Sequence, residues 1–279
     1  MKKICLLSAL VLSMSISQAQ SIKFPAPSTS QTIKQQFGVG TVELSYSRPS
    51  VKGRQIFGNI EPYGVVWRTG ANGATILDFS NDVVIGGKSI KAGKYGLLSI
   101  PGKSEWTFII TSDLNVTNAA SYKAENDIVR VKSKVYPLTA PMETLTLDFG
   151  DITNSSMTLQ MAWENTFASF TITTNTDELV MANIEKAFAD QTVTKKPYRD
   201  AAQYYFENGK DLNKAYEWSQ KAVEENGNAF WLHLLNARIA AKLGKKAEAK
   251  KSAEKTIELA KAAQNSQYEN MAKDLIKTL

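Results

Sequence analysis

The chain changes its hydrophobic period once. From about residue 33 to residue 174, apolar and polar side chains alternate in short runs: 41–46, 107–110, 128–131, 144–149, 157–161 and 170–173. These runs are rich in Val, Ile, Thr and aromatics, and Gly, Asn and Pro punctuate them, which predicts strands. Gly86-Gly87, between Val83-Val84-Ile85 and Ser89-Ile90, predicts a tight hairpin. Many short strands with frequent turn signals predict an antiparallel, all-β sandwich or barrel, of which the sandwich is the reading adopted. No helical stretches intervene, so a doubly wound sheet is not expected. After Asn175 the period becomes helical. Val180, Ile184 and Phe188 mark one face of a first helix, with Thr176 or Asp177 as its N-cap. Pro197 opens a second helix, which Gly209 ends. Further helices are predicted over 211–225, 228–243, 245–263 and from 266 onward, with Gly227 and Gly244 as breaks.

The helical half contains a repeat. Ala215 and Ala249 lie 34 residues apart, as do Ala222 and Thr256, and Gly209 and Gly244 precede them at nearly the same offset. Small residues at fixed places let two helices pack closely, and the spacing resembles that of tetratricopeptide repeats. His233 and Asn236 stand where bulky apolar residues are usual in such repeats. Two copies are fewer than a free-standing array needs, so flanking helices are expected to cap it, or the array to pack against the β half. The expected division is a signal peptide over 1–19, a β-sandwich domain over 20–175 and an all-α, tetratricopeptide-like array over 176–279.

The first residues fit export. Met1-Lys2-Lys3 is basic, an apolar stretch from Ile4 to Ile16 follows, and Ser17-Gln18-Ala19 offers small residues to a signal peptidase, with cleavage before Gln20. The stretch is too short to span a bilayer, and nothing else in the chain approaches a membrane span. The expected location is the periplasm or the cell exterior. The one cysteine, Cys5, falls inside this segment, and the one histidine, His233, falls in the helical half. Zinc sites made of Cys and His, disulfides and histidine bases are therefore not expected of the β half, and no cofactor is expected.

Charge adds little. Residues 21–175 hold 14 basic and 12 acidic side chains, and residues 176–279 hold 17 and 15. A nucleic-acid binder shows a basic domain or stripe, so no nucleic-acid partner is expected. The run Lys242, Lys245, Lys246, Lys250 and Lys251 reads as a solvated helix face. Several short motifs fail on context. Gly87-Lys88-Ser89 and Gly102-Lys103-Ser104 lack the first glycine of a phosphate loop. Ser252-Ala253-Glu254-Lys255 lies in a repeat helix, and Asp148-Phe149-Gly150 stands alone.

Residues 48–73 stand out. They contain two prolines, five glycines and little strand pattern. A loop this long in a compact domain is functional or disordered. Ile56, Phe57, Ile60, Tyr63, Val65, Val66 and Trp67 offer too much to bury for disorder. Arg48, Arg54 and Arg68 supply planar donors that match a carboxylate or phosphate, and Lys52 adds a point charge. Tyr63 and Trp67 offer flat faces, and Asn72 both donates and accepts. These seven side chains are the candidate ligand-binding set. The competing reading is that the arginines pair with Glu61, Asp78 or backbone carbonyls to pin the loop, while Trp67 fills the core.

The same stretch carries a resemblance. Ser47-Arg48-Pro49-Ser50-Val51-Lys52-Gly53-Arg54, then Pro62-Tyr63-Gly64, then Val66-Trp67-Arg68-Thr69-Gly70-Ala71-Asn72, resembles the exported bacterial family known as domain of unknown function 2911. Ala92-Gly93-Lys94-Tyr95, Ile100-Pro101, Trp106-Thr107 and Asp127-Ile128-Val129-Arg130 continue it in order, over roughly residues 30–175. Residues 115–120 depart from the pattern, which has a tryptophan-glycine pair there. The resemblance implies export in a bacterium and a β-rich fold. It implies no activity.

The leading expectation is a non-catalytic binding module. Its 48–73 loop would hold a small anionic or sugar-like ligand, and its helices would face a protein partner or brace the β half. The first alternative is a hydrolase of glycans or esters, which needs two facing carboxylates from among Glu61, Asp78, Asp148 and Asp151. The second is a structural or assembly module without a ligand.

Overall fold

In the computed structural model, residues 24–279 are described. The predicted signal peptide lies outside the described residues. The chain forms two compact units, which meet in sequence between Thr174 and Asn175.

The first unit is a sandwich of two antiparallel sheets. Ten strands occur in chain order: β1 (Thr29–Phe37), β2 (Gly40–Arg48), β3 (Thr75–Phe79), β4 (Val83–Ile85), β5 (Lys88–Ile90), β6 (Gly93–Ile100), β7 (Glu105–Thr111), β8 (Asp127–Lys134), β9 (Tyr136–Gly150) and β10 (Ser156–Thr173). One sheet has the order β1-β2-β3-β6-β7-β8 and the other β5-β4-β10-β9. Alternation makes each strand two-faced, and the buried faces of both sheets meet in one core. Leu44, Leu77, Leu97 and Phe108 enter from the larger sheet, and Ile85, Leu147, Leu159 and Ile172 from the smaller. Gly86 and Gly87 both take positive φ, 58° and 78°, as a two-residue turn between β4 and β5 requires.

Two features depart from the sequence pattern. The runs at 157–161 and 170–173 belong to one strand, β10, which is 18 residues long. It stays continuous by irregular pairing with β9 around Glu164, whose φ is +54°. Residues 115–120, where the family pattern is broken, form no strand. A short 3-10 turn at Ala119–Ser121 is capped by Asn118, and Val116 is buried beside Leu98 and Ile109.

The loop between β2 and β3 is ordered by its own apolar content. Trp67 stacks on Trp163 (centroids 5.7 Å apart, planes at 19°) and meets Phe57 and Trp106 edge-on at 6.0 and 6.1 Å. Its backbone exchanges hydrogen bonds with Ser99 of β6 (2.7 and 2.9 Å). Elsewhere the loop is tied to the smaller sheet. Val51 N–H donates to the Glu143 carbonyl (2.8 Å), Leu145 N–H to the Pro49 carbonyl (2.9 Å), and the Ile56 and Phe57 amides to the Glu164 carboxylate (3.2 and 3.3 Å). The loop therefore spans the same end of both sheets and closes over the core.

The second unit is helical: α1 (Thr176–Ala189), α2 (Tyr198–Glu207), α3 (Leu212–Glu225), α4 (Phe230–Lys242), α5 (Lys246–Ala262) and α6 (Ser266–Lys277). The cap of α1 is Asn175 rather than the predicted Thr176 or Asp177, because its side chain accepts from the Glu178 amide. The repeat positions explain the packing. Ala215, Ala249 and Thr256 are fully buried and Ala222 nearly so, where α3 and α5 press against their neighbours. The flanking helices do cover the pairs. Phe188 of α1 stacks on Trp218 at 4.6 Å, and Ala272 of α6 joins Leu234, Ala237 and Ala253 in one cluster. Asn236 is buried without cost because its amide donates to Ser219 (2.9 Å) and accepts from Ser252 (2.8 Å). His233 contacts the Gly227 carbonyl at 2.8 Å, holding the turn that precedes its own helix.

Candidate functional site

The candidate set separates once each side chain is placed. Arg48 faces the smaller sheet. Its Nε donates to the Leu145 carbonyl (2.9 Å) and its Nη2 to Thr146 Oγ1 (2.8 Å), beside Tyr46, whose hydroxyl donates to the Leu147 carbonyl at 3.0 Å. Arg48 thus joins β2 to β9 and is not among the residues that line the cavity under the loop. Trp67 is 4 % exposed and belongs to the core, with its indole N–H on the Gly70 carbonyl at 3.1 Å. Tyr63 is 40 % exposed and lies against Gly58, whose φ is +84°, outside the lining of the loop cavity. Asn72 adopts a left-handed φ of 60° and reaches the Ser28 carbonyl and Ser47 hydroxyl at 3.4 and 3.3 Å.

The other three converge. Lys52, Arg54 and Arg68 line one cavity of about 270 Å³ under the loop. Its walls are apolar where Pro49, Ile60, Ala71 and Trp163 contribute. Arg54 is held in place by two backbone carbonyls, Val51 (2.9 Å) and Ser50 (2.7 Å), so two of its five donors are used and the charge has no carboxylate on it. Lys52 sits at φ 50°, fixed by its own amide on the Glu143 carboxylate (2.9 Å). Arg68 donates through Nη1 to the Thr117 carbonyl, in the segment that departs from the family pattern. Its Nε is buried and has no partner among the described residues. A buried donor left unpaired is costly and is a feature to be explained.

Glu61 is the one carboxylate among the described residues that line this cavity. Burial pushes its pKa up to about 7, against the opposing pull of the nearby Arg68 charge. At neutral pH the cavity therefore carries three cationic side chains and a carboxyl group that is about half protonated. The other acids named from the sequence lie elsewhere. Asp78 pairs with Lys94 at 3.8 Å, Asp148 accepts from the Phe149 amide at 2.8 Å, and Asp151 accepts from Thr158 at 3.0 Å. No group of three or more His, Cys, Asp or Glu among the described residues is placed to hold a metal ion.

In sequence Glu61 reads as a candidate acid or as a partner for the loop arginines, and its burial beside Arg68 without an ion pair was not legible. The wall residue Trp163 carried no signal, because it comes from β10, roughly a hundred residues further along the chain. Such convergence depends on tertiary packing.

Two antiparallel sheets around one core, a long ordered loop across their common end and a cationic cavity beneath it define an all-β domain with a concentrated polar site. A family model described as a protein of unknown function, DUF2911, matches residues 28–172, and the chain belongs to that family. No curated protein and no solved structure matches the chain. No helix among the described residues is long and apolar enough to cross a membrane.

Proposed function

We propose that the β unit is a non-catalytic binding module that takes a small organic anion, a carboxylate in the first instance, into the cavity under the 48–73 loop. The observation that carries this reading is the convergence of Lys52, Arg54 and Arg68 on one cavity with no carboxylate ion-paired to any of them. The planar guanidinium of Arg68 at the cavity wall suits a carboxylate, and the protonated form of Glu61 supplies a further donor. The apolar walls favour an organic acid over an inorganic ion. A carboxylate is preferred to a sugar because neither expected flat platform lines the cavity: Trp67 is in the core, and Tyr63, although 40 % exposed, lies outside the lining. The hydrolase reading would use Glu61 as an acid, but it needs a facing carboxylate, and none lines the cavity among the described residues. The protein is proposed to work in the periplasm or outside the cell, on the strength of its first 19 residues.

The test is a thermal-shift screen of the mature protein against small carboxylates, phosphates and cell-wall sugars, repeated with Arg68→Ala. A carboxylate that raises the melting temperature of the parent and not of the variant supports the reading. Stabilisation that survives the substitution, or stabilisation by neutral sugars alone, contradicts it.

A further inference from the structure

The cavity under the loop has two cationic poles, and they come from parts of the loop fastened to different sheets. Lys52 and Arg54 belong to the part tied to the smaller sheet, where Val51 N–H donates to the Glu143 carbonyl (2.8 Å) and Leu145 N–H to the Pro49 carbonyl (2.9 Å). Arg68 belongs to the part tied to the larger sheet, next to Trp67 on Ser99 of β6 (2.7 and 2.9 Å). Exposure separates them as well. Lys52 and Arg54 are exposed, whereas Arg68 is partly buried and its Nε fully so. The cavity thus has a cationic rim and a cationic interior, with apolar wall at Ile60, Ala71 and Trp163.

Charge and size narrow the ligand. Three cations face one carboxyl group, that of Glu61, so an excess of at least two positive charges remains. Glu143, whose carboxylate accepts from the Lys52 amide at 2.9 Å, is not among the lining residues. The Lys52 ammonium has no hydrogen bond or ion pair among the described residues. A monoanion on Arg68 would leave the rim charges unmatched, whereas a dianion meets both poles. The volume of about 270 Å³ lies just below the range usual for small-molecule sites, about 300–1,000 Å³, so the ligand is short. Phosphates are commonly cradled by successive backbone N–H groups. Here the Lys52 amide is taken by Glu143, the Arg54 amide by the Val51 carbonyl (3.1 Å) and the Glu61 amide by the Ile56 carbonyl (3.0 Å), so these three form no such cradle. Resting on the anion-binding role proposed above, we infer that the ligand is a short aliphatic dicarboxylate. One carboxylate lies on Arg68, the other on Lys52 and Arg54 at the rim, and the methylene chain against Ile60, Ala71 and Trp163.

The test is calorimetric titration of the mature protein near neutral pH with succinate, glutarate and adipate, with the monocarboxylates of equal carbon number (butyrate, pentanoate and hexanoate), and with glycerol phosphate. At least one dicarboxylate should bind about tenfold or more tightly than its monocarboxylate counterpart. Lys52→Gln should narrow that ratio, and Lys52→Gln combined with Arg54→Gln should remove it without weakening the monocarboxylate. Arg68→Ala should abolish the binding of both. Circular dichroism melts check that the variants fold; if the double variant melts early, Lys52→Gln decides. Monocarboxylates that bind as tightly as dicarboxylates overturn this inference and leave the anion-binding role standing. If no carboxylate binds, both fall. Tighter binding of glycerol phosphate, or a dicarboxylate preference that survives the rim variants undiminished, also overturns the inference.

Discussion

Glu61 and Arg68 set the chemistry of the cavity at the scale of single residues. The folded state holds the Glu61 proton up to about pH 7, whereas an unfolded chain releases it near the ordinary value of 4.5. Between those limits the folded state binds more protons, so its stability falls as pH rises through that window. Glu61→Gln is expected to flatten this part of the profile, which melting curves from about pH 4 to pH 8 would reveal. An unchanged slope would mean that Glu61 is not buried as described. Trp67 belongs to the same scale with the opposite role. Trp67→Ala removes a stacked, 4 % exposed ring and is expected to cost about 3–5 kcal/mol in denaturant unfolding. Residue type alone could not separate these roles. Arg48, Arg54 and Arg68 read alike in sequence, yet one fastens two sheets and two line a cavity, because their backbone positions aim them differently.

Elements were more legible than side chains. The strand runs, the Gly86-Gly87 hairpin and the helices appear near their predicted places, because alternation and glycine breaks are local signals. The continuity of β10 was not legible, since a bulge at Glu164 depends on pairing with β9 rather than on the sequence of β10 alone. In the helical unit Asn236 looked misplaced as a repeat residue. Its partners Ser219 and Ser252 lie on the two neighbouring helices, α3 and α5, so the logic becomes visible only when all three pack. Asn236→Leu is therefore expected to destabilise the helical unit by about 1–3 kcal/mol, although it adds apolar volume, because the Ser252 hydroxyl loses its acceptor and Ser219, which still donates to the Tyr216 carbonyl, loses a donor. Far-ultraviolet circular dichroism during thermal unfolding would check it; a more stable variant would show that the network is not needed.

Across the whole molecule, the two units carry separate polar features, and the even charge balance of the halves favours neither as a polyanion surface. Export is a claim at this scale. Protein recovered from the source cell is expected to have a mass that corresponds to a chain starting at Gln20, and an intact Met1 would contradict it. The central claim is anion binding under the 48–73 loop. Its most direct test is calorimetric titration of the best small carboxylate into parent, Arg68→Ala and Glu61→Gln at about pH 6 and pH 8. Above the Glu61 pKa of about 7, a charged carboxylate opposes the anion, so parent affinity should fall as pH rises. The account predicts that Arg68→Ala abolishes the heat at both pH values and that Glu61→Gln removes the fall. Equal binding by parent and Arg68→Ala at both pH values would contradict it.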